Sequence, residues 1–522
     1  MDYSKAVGMN PKYNTFDLSH DKRLSLKMGE IIPVMAVDVL PGDKFTIESS
    51  HLTRMLPLVA PVMHNVKVKM RYFFSPNRLV WDNWEDFITG PESANDITEP
   101  IHPYINTVSI PSSLIDYMGV STADGIGGQS VQVNALPFAH YQFIWNEYFR
   151  DQNLQIEVDH ELVDGDNSAN ANLYQKRKVA WQHDRFTSAL PFTQKGPEVT
   201  LPVLDSSSTV QAISFNSGSP LPDTVYEAAG GIVGANVYGF RTNSQGETLD
   251  DSLTKFVALD NSANLLIDQS ALNQNAATIN ELREAFAIQK WLELNARTGN
   301  RYTEHIQAHF GVKPQDARLQ RPEEFGGSVA NIQFSEVLQT SQTITTGTDQ
   351  SPLGQMGGHG ITASGSRKAS YYAQEHGWIF AFMYVVPDTT YSQGVPAKFN
   401  KVDRYDYYQP LLAHLGEQPV LNKELYATGG SKDADTFGYL PIYDEYRHEQ
   451  NSVHGLMKST LEYWHLGRKF SSLPMLNSSF IECVPSDRVF VELDDAEQII
   501  AHVYNDLKVQ RKVPYYGTPL GV

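Results

Sequence analysis

The chain has 522 residues, 41% of them apolar and 19% charged, which suits a folded protein with a sizeable buried interior and excludes a disordered one. Its 41 basic and 60 acidic residues leave a formal charge of −19, which on its own argues against a nucleic-acid-binding protein. The single cysteine, Cys483, excludes an intrachain disulfide, and its apolar setting (Phe480-Ile481-Glu482-Cys483-Val484) marks a packing thiol rather than a reactive one.

In chain order, Ile31 to Leu40 reads as a strand closed by the turn Pro41-Gly42-Asp43. The clearest strand follows at Val66 to Phe74. There Val66, Val68, Met70, Tyr72 and Phe74 point one way, and Lys67, Lys69 and Arg71 the other. Tyr141 to Tyr148 reads as a helix with Ile144, Trp145 and Tyr148 on one side. Thr278-Ile279-Asn280-Glu281 has capping-box spacing and opens a helix with the stripe Leu282, Phe286, Leu292, ending before Gly299. A shorter helix spans Tyr302 to Phe310 and stops at Gly311. Gly377 to Val386 is apolar on both faces and belongs in the middle of a covered sheet. Arg488 to Leu493 and Ile500 to Val509 complete the strands, the last with Ala501, Val503, Leu507 and Val509 on one face. Strands this far apart imply long-range pairing, as in sandwiches and jelly rolls.

Residues 201–275 differ from their surroundings. They are rich in Ser, Thr, Asn, Gly and Asp, with Arg241 and Lys255 as their only cations. Inside lies a small, apolar stretch containing Gly230, Gly231, Ile232, Val233, Gly234, Val237, Tyr238 and Phe240. Two readings stand: a protrusion whose tip meets copies of itself or a partner, or a long solvated loop.

Motifs for catalysis and metal binding fail one by one. His448-Glu449-Gln450-Asn451-Ser452 has Ser where a zinc helix needs its second His. Asp164-Gly165-Asp166-Asn167-Ser168 opens like a calcium loop but has Gln175 where a bidentate Glu is required. The glycine-rich 354–360 stretch lacks a Gly-Lys-Ser/Thr ending, and no Gly-x-Ser-x-Gly elbow occurs. The expectation is therefore no catalytic site, no metal and no cofactor. No signal peptide is read at the N-terminus, and no apolar run reaches the roughly 18–20 residues of a membrane span, so the chain is expected in a cytoplasm without membrane insertion.

Cations nevertheless cluster: Lys22, Arg23 and Lys27; Lys176, Arg177 and Lys178; Arg318 and Arg321; Arg468 and Lys469; Lys508, Arg511 and Lys512, the last followed by Tyr515 and Tyr516. Cations beside aromatic rings hold phosphates and stack on unpaired bases. The plainer reading is salt bridging with the surplus carboxylates or contact between subunits.

Several blocks together resemble one family. They include Phe16-Asp17-Leu18-Ser19-His20-Asp21, Val39-Leu40-Pro41-Gly42-Asp43, Ala60-Pro61-Val62-Met63-His64 and Tyr72-Phe73-Phe74-Ser75-Pro76-Asn77-Arg78. Further on come Tyr148-Phe149-Arg150-Asp151-Gln152-Asn153-Leu154, Phe186-Thr187-Ser188-Ala189-Leu190-Pro191 and Ala317-Arg318-Leu319-Gln320-Arg321-Pro322. His414-Leu415-Gly416-Glu417-Gln418 and Tyr516-Gly517-Thr518-Pro519 close the series. In this order they resemble the major capsid proteins of the gokushoviruses, a branch of the Microviridae. The likeness covers most of the chain and is weakest over 95–135, 156–180 and 201–275.

The resemblance implies a mainly β chain built on an eight-stranded viral jelly roll, a single capsid domain over 1–522 with long insertions and a few short helices. It implies a T=1 icosahedral shell of sixty copies around circular single-stranded DNA, with 201–275 as a threefold protrusion and candidate receptor site. The partners implied are further copies of the chain, an internal scaffolding protein, a pilot protein, a small basic DNA-packaging peptide, the packaged DNA and a bacterial surface receptor. The chain would reside in the virion after assembly in the host bacterial cytoplasm. The candidates for DNA contact are Lys22, Arg23, Lys27, Arg318, Arg321, Lys508, Arg511, Lys512, Tyr515 and Tyr516. Two rival classes remain: a β-rich glycan hydrolase with two carboxylates, and a ligand-binding module that stays monomeric or forms small oligomers.

Overall fold

A computed structural model describes residues 12–90, 99–107, 110–120, 130–197, 199, 225–226, 232–233, 279–338, 340, 354, 356–491 and 497–516. The chain forms two compact units, one of residues 1–195 with 295–522 and one of residues 196–294. Among the described residues the architecture is mainly β, with several antiparallel sheets and few helices.

The strands in the first half are β1 (Asn14–Asp17), β2 (His20–Leu26), β3 (Ile32–Val39), β4 (Lys44–Met55), β5 (Val66–Pro76), β6 (Tyr104–Thr107) and β7 (Val131–Asn134). In the second unit β8 (Val225–Tyr226) and β9 (Ile232–Val233) form a small antiparallel hairpin. There follow β10 (Glu323–Asn331), β11 (Gln333–Leu338), β12 (Met356–Gly365), β13 (Ala369–Tyr372), β14 (Gly377–Pro387), β15 (Glu417–Leu421), β16 (Thr436–Pro441) and β17 (Ile499–Arg511).

Two sheets carry the fold. A seven-stranded sheet runs β1-β17-β4-β12-β11, with β13 added to β4 and β2 to β17, and a four-stranded sheet runs β10-β5-β14-β3. Their facing side chains make one core, with Phe45, Ile47, Val503 and Leu507 from the first sheet and Val68, Met70, Ile379 and Met383 from the second. Burying each such side chain contributes about 1.5–3 kcal/mol, so these contacts dominate the fold's stability.

The far side of the four-stranded sheet makes a second core, which explains why β14 is apolar on both faces. Ile379, Ala381, Met383 and Val385 point into the first core, while Phe380, Phe382, Tyr384 and Val386 point into the second. There they meet the helix Leu136–Tyr148, whose residues 136–146 are all buried. That helix starts five residues before the expected start at Tyr141, and it is buried all round rather than on one side. Phe382 packs on Phe73 at 5.7 Å and edge-on against Tyr141 at 5.5 Å. A third core, including Phe186, Tyr391, Val420, Phe437 and Phe480, lies around the β15–β16 pair.

One glycine is fixed by close approach between these layers. Gly29 sits at φ 85°, and a Cβ there would lie 1.9 Å from the carbonyl oxygen of Cys483. Its N–H donates to the Val385 carbonyl, and its own carbonyl accepts from Val179. Cys483 itself is fully buried, and burial pushes its thiol up.

The expected strands at 31–40, 66–74, 377–386 and 500–509 are present as β3, β5, β14 and β17. The helices end where expected, at Thr298 before Gly299 and at Phe310, where Gly311 takes the left-handed conformation at φ 69°. Leu282 and Phe286 of the longer helix stand exposed, because an apolar stripe shows that a face wants cover without supplying it. Thr278, the first residue of the capping box, lies outside the described residues. The expected strand at Arg488–Leu493 is corrected over residues 488–491, where only Phe490 makes an antiparallel bridge, to Leu58; residues 492 and 493 lie outside the described residues. Asp487–Val489 is a 3-10 turn, held there because the Arg488 guanidinium donates to the carbonyls of Glu462, His465 and Gly467. No helix among the described residues is long and apolar enough to cross a membrane.

Candidate functional site

The seven-stranded sheet has one buried face and one open face, and period-two alternation decides what the open face shows. On β4 the outward residues are Lys44, Thr46, Glu48, Ser50, Leu52 and Arg54; on β17 they are Ile500, His502, Tyr504, Asp506, Lys508 and Gln510. Antiparallel register sets Gln510 opposite Lys44, Lys508 opposite Thr46 and His502 opposite Leu52. β1 places Asp17 opposite Lys508, β2 places Arg23 opposite His502, and β13 places Tyr372 opposite Lys44.

At one end of this face Thr15, Lys44, Lys368, Tyr372, Lys508 and Gln510 line a groove of about 600 Å³. Lys44 Nζ lies 5.1 Å from the Tyr13 ring and 6.0 Å from Tyr372, and Lys512 Nζ lies 5.3 Å from Tyr13. Tyr515 continues the cluster: its ring stands 5.0 Å from Phe16, and its hydroxyl donates to the Thr15 carbonyl at 2.7 Å. Tyr516 is exposed next to it. Ammonium groups alternating with phenol rings can neutralise phosphates and offer stacking surfaces.

The structure therefore brings together Lys508, Lys512, Tyr515 and Tyr516 and adds Lys44, Lys368, Tyr13 and Tyr372, which sequence reasoning missed. The alternation Lys44-Phe45-Thr46-Ile47 was the available signal for β4. Nothing local to Lys368 reveals that β13 docks on that strand.

The other cations have different surroundings. Arg511 reaches inward, with Nη2 2.5 Å from the buried Asp43 carboxylate. Arg23 is exposed and paired with Asp21 at 2.6 Å, and His502 lies 3.1 Å from the same carboxylate. The His502 hydrogen bond, helped by Arg23, holds Asp21 below the usual carboxylate range. Lys22 donates to the carbonyls of Pro33 and Tyr117, and burial pushes its ammonium down to about 8. Lys27 follows directly on β2, and Arg318 is exposed on the 3-10 turn Ala317–Leu319. Arg321 lies with the second core instead: it stacks on Tyr148 at 4.6 Å, and its guanidinium is 3.4 Å from Glu147. Lys176 pairs with Glu30, and Arg468 lies over Phe480. For Lys22, Arg23, Arg321, Arg511, Lys176 and Arg468 the plainer, structural reading describes the contacts.

A second open surface is apolar. Residues 399–415 follow one another through short 3-10 turns and expose Phe399, Val402, Tyr405, Tyr407, Leu411 and Leu415, with Val402 94% and Leu411 90% accessible. The segment is anchored at its base, where Lys401 pairs with Glu445 at 3.1 Å and lies 3.7 Å above the Tyr446 ring. Exposed apolar groups this numerous in one stretch mark a surface built to be covered. Of the tip residues in 201–275, the backbone of Ile232 and Val233 forms β9; Gly230, Gly231, Gly234, Val237, Tyr238 and Phe240 lie outside the described residues.

A β-rich subunit with an exposed apolar segment and a basic-aromatic groove has the features of a shell protein, and the comparisons agree. Residues 7–520 match the phage family described as capsid protein (F protein), and the chain belongs to that family. It is 33% identical to capsid protein VP1 of Chlamydia phage 1 and 34% identical to capsid protein VP1 of Bdellovibrio phage phiMH2K. Against capsid protein VP1 of Spiroplasma virus 4 the identity is 30%. Each comparison covers 99% of this chain and 97% of the relative. The gokushovirus resemblance drawn from the sequence blocks is thus borne out, and the family is one of structural capsid proteins, not enzymes.

Proposed function

We propose that sixty copies of the chain, each built on a jelly-roll core, close into a T=1 icosahedral shell around circular single-stranded DNA. The observation that carries this reading is the exposed apolar segment 399–415, seated on its own subunit yet uncovered, as a self-association surface must be. The groove with Lys44, Lys368, Lys508 and Tyr372 supports a role in holding the DNA. Arg23, Lys27, Arg318, Lys512, Tyr515 and Tyr516 remain candidates for further contacts, whereas Lys22, Arg321 and Arg511 are engaged within the fold. The net charge of −19 is compatible with this, because charge averages over both faces of a shell and an acidic face keeps the particle soluble. A small basic packaging peptide would supply further neutralisation. An internal scaffolding protein and a pilot protein would act during assembly in the bacterial cytoplasm.

Val402→Glu with Leu411→Glu should leave a folded subunit that no longer forms shells, read by sedimentation and circular dichroism. Shells formed in wild-type yield would sink the assembly role of this segment. The insertion 201–275 is proposed as a threefold protrusion that meets a bacterial surface receptor. Shells lacking residues 225–242 should form but fail to adsorb to host cells; undiminished adsorption would remove that role.

A further inference from the structure

Within the larger unit, the segments 148–154, 179–190 and 296–304 and the strands β5 and β14 enclose a cleft of about 570 Å³, a volume suited to a small ligand. Its lining carries five cations, Lys69, Arg71, Arg150, Arg297 and Arg301, against two carboxylates, Asp151 and Glu304. Four of these cations face a carboxylate, Arg71 with Glu324, Arg150 with Glu157, Arg297 with Glu417 and Arg301 with Glu304, which leaves Lys69 as the cation whose charge is not paired in this way among the described residues. Both carboxylates are already engaged. Asp151 accepts from the backbone N–H groups of Asn153 and Leu154 at 2.9 and 3.0 Å, and Glu304 accepts from the Arg301 backbone N–H at 3.1 Å and pairs with its guanidinium at 3.3 Å.

The cations are held in place but not all satisfied. Arg301 donates through Nη2 to the carbonyls of Asn146 and Arg150, both at 3.1 Å, and Arg150 donates to the Gln155 carbonyl at 3.0 Å. The Nε atoms of both arginines are buried without a hydrogen-bond partner. On β5, Lys67 pairs with Asp388 and Arg71 with Glu324, while Lys69 between them has no salt-bridge partner among the described residues. Burial, together with the neighbouring Arg71 and Lys67 charges, pushes the Lys69 ammonium down, so a bound anion would relieve it.

We infer that this cleft is an anion site that takes a phosphate group, with Lys69 and the guanidinium groups of Arg150 and Arg301 as its principal charges. The Lys69 ammonium supplies the charge, and guanidinium N–H groups, whose Nε atoms here lack hydrogen-bond partners, fit phosphate oxygens. The ligand is either a free phosphate or mononucleotide, or a phosphate of a nucleic-acid strand. This site is separate from the groove on the seven-stranded sheet and does not rest on the function proposed for it.

Titration calorimetry on the intact protein distinguishes these sources with inorganic phosphate, deoxythymidine monophosphate and a ten-nucleotide single strand. The expected result is saturable binding of at least one probe at one site per chain, weakened about tenfold by Lys69→Gln. Lys69→Arg should restore it, and Lys432→Gln, on a remote turn, should leave it unchanged. Equal affinity for the mononucleotide and the strand identifies a free ligand; clear preference for the strand identifies its backbone. Binding of no probe, or binding that Lys69→Gln and Lys69→Glu leave intact, overturns the inference. Should Lys69→Gln fail to fold, unchanged affinity in Lys69→Glu or loss in Lys69→Arg would overturn it equally.

Discussion

Replacing Arg185 by Met should lower the unfolding free energy by about 3–5 kcal/mol, the range for removing one partner of a buried ion pair. Arg185 lies between two carboxylates, with Nη2 2.9 Å from Glu424 Oε2 and Nη1 2.9 Å from Asp444 Oδ2. The Arg185 side chain is 4% accessible and both acids 6%, so solvent cannot take over the lost contacts. Met fills much of the same volume, so the loss reports the stranded carboxylates rather than a cavity. Adding Glu424→Gln and Asp444→Asn to Arg185→Met should recover a large part of it, because neutral amides cost less to bury. Urea unfolding with a change in midpoint at constant slope is the measurement. A single variant within 1 kcal/mol of the wild type would show that this trio does not hold the third core together.

A second large effect is expected on acidification. His140 is fully buried, with Nδ1 2.8 Å from Ser75 Oγ and Nε2 3.0 Å from Asn77 Oδ1. Burial, aided by the nearby His160 charge, pushes it down to about 3 from an ordinary value of 6.5. The unfolded chain therefore binds this proton at a higher pH than the folded chain does, and stability rises with pH across that interval. The contribution is complete above pH 6.5 and is lost progressively as pH falls toward 3, at no more than about 1.4 kcal/mol per pH unit. His140→Gln, which keeps one donor and one acceptor, should unfold with a shallower acid dependence. By pH 4 the difference between variant and wild type should have shifted by about 3 kcal/mol in the variant's favour relative to pH 7. Parallel stability curves between pH 7 and pH 4 would contradict the assignment of this histidine as a buried neutral group.

Much of the fold was legible where a strand or helix carries its own pattern. β17 alternates throughout and β5 over Val66–Arg71, β14 is apolar on both faces because it separates two cores, and Gly299 and Gly311 close their helices. What escaped depends on distance. β17 pairs with β4, β2 and β1, so the open face joins residues more than 450 positions apart, and Lys44 meets Tyr372 only because β13 docks on β4. The segment 488–493 looks like a strand by composition. Its described part, 488–491, opens in a 3-10 turn where Arg488 reaches three distant carbonyls, and then makes only an isolated antiparallel bridge from Phe490 to Leu58. Basic clusters read from sequence mixed two kinds of cation: Lys22, Arg321 and Arg511 hold the fold together, whereas Lys508 and Lys512 face outward. Arg150 and Arg301 share a cleft with Lys69 only after three separate segments converge, a juxtaposition that local spacing does not encode.

The most direct test of the central claim is sedimentation of the native protein after nuclease treatment, with electron microscopy of the fast fraction. Uniform icosahedral particles that retain nuclease-protected single-stranded DNA are the expected result. A slow, monodisperse monomer, recovered from cells that express the complete phage gene set, would contradict assembly as the function of this chain.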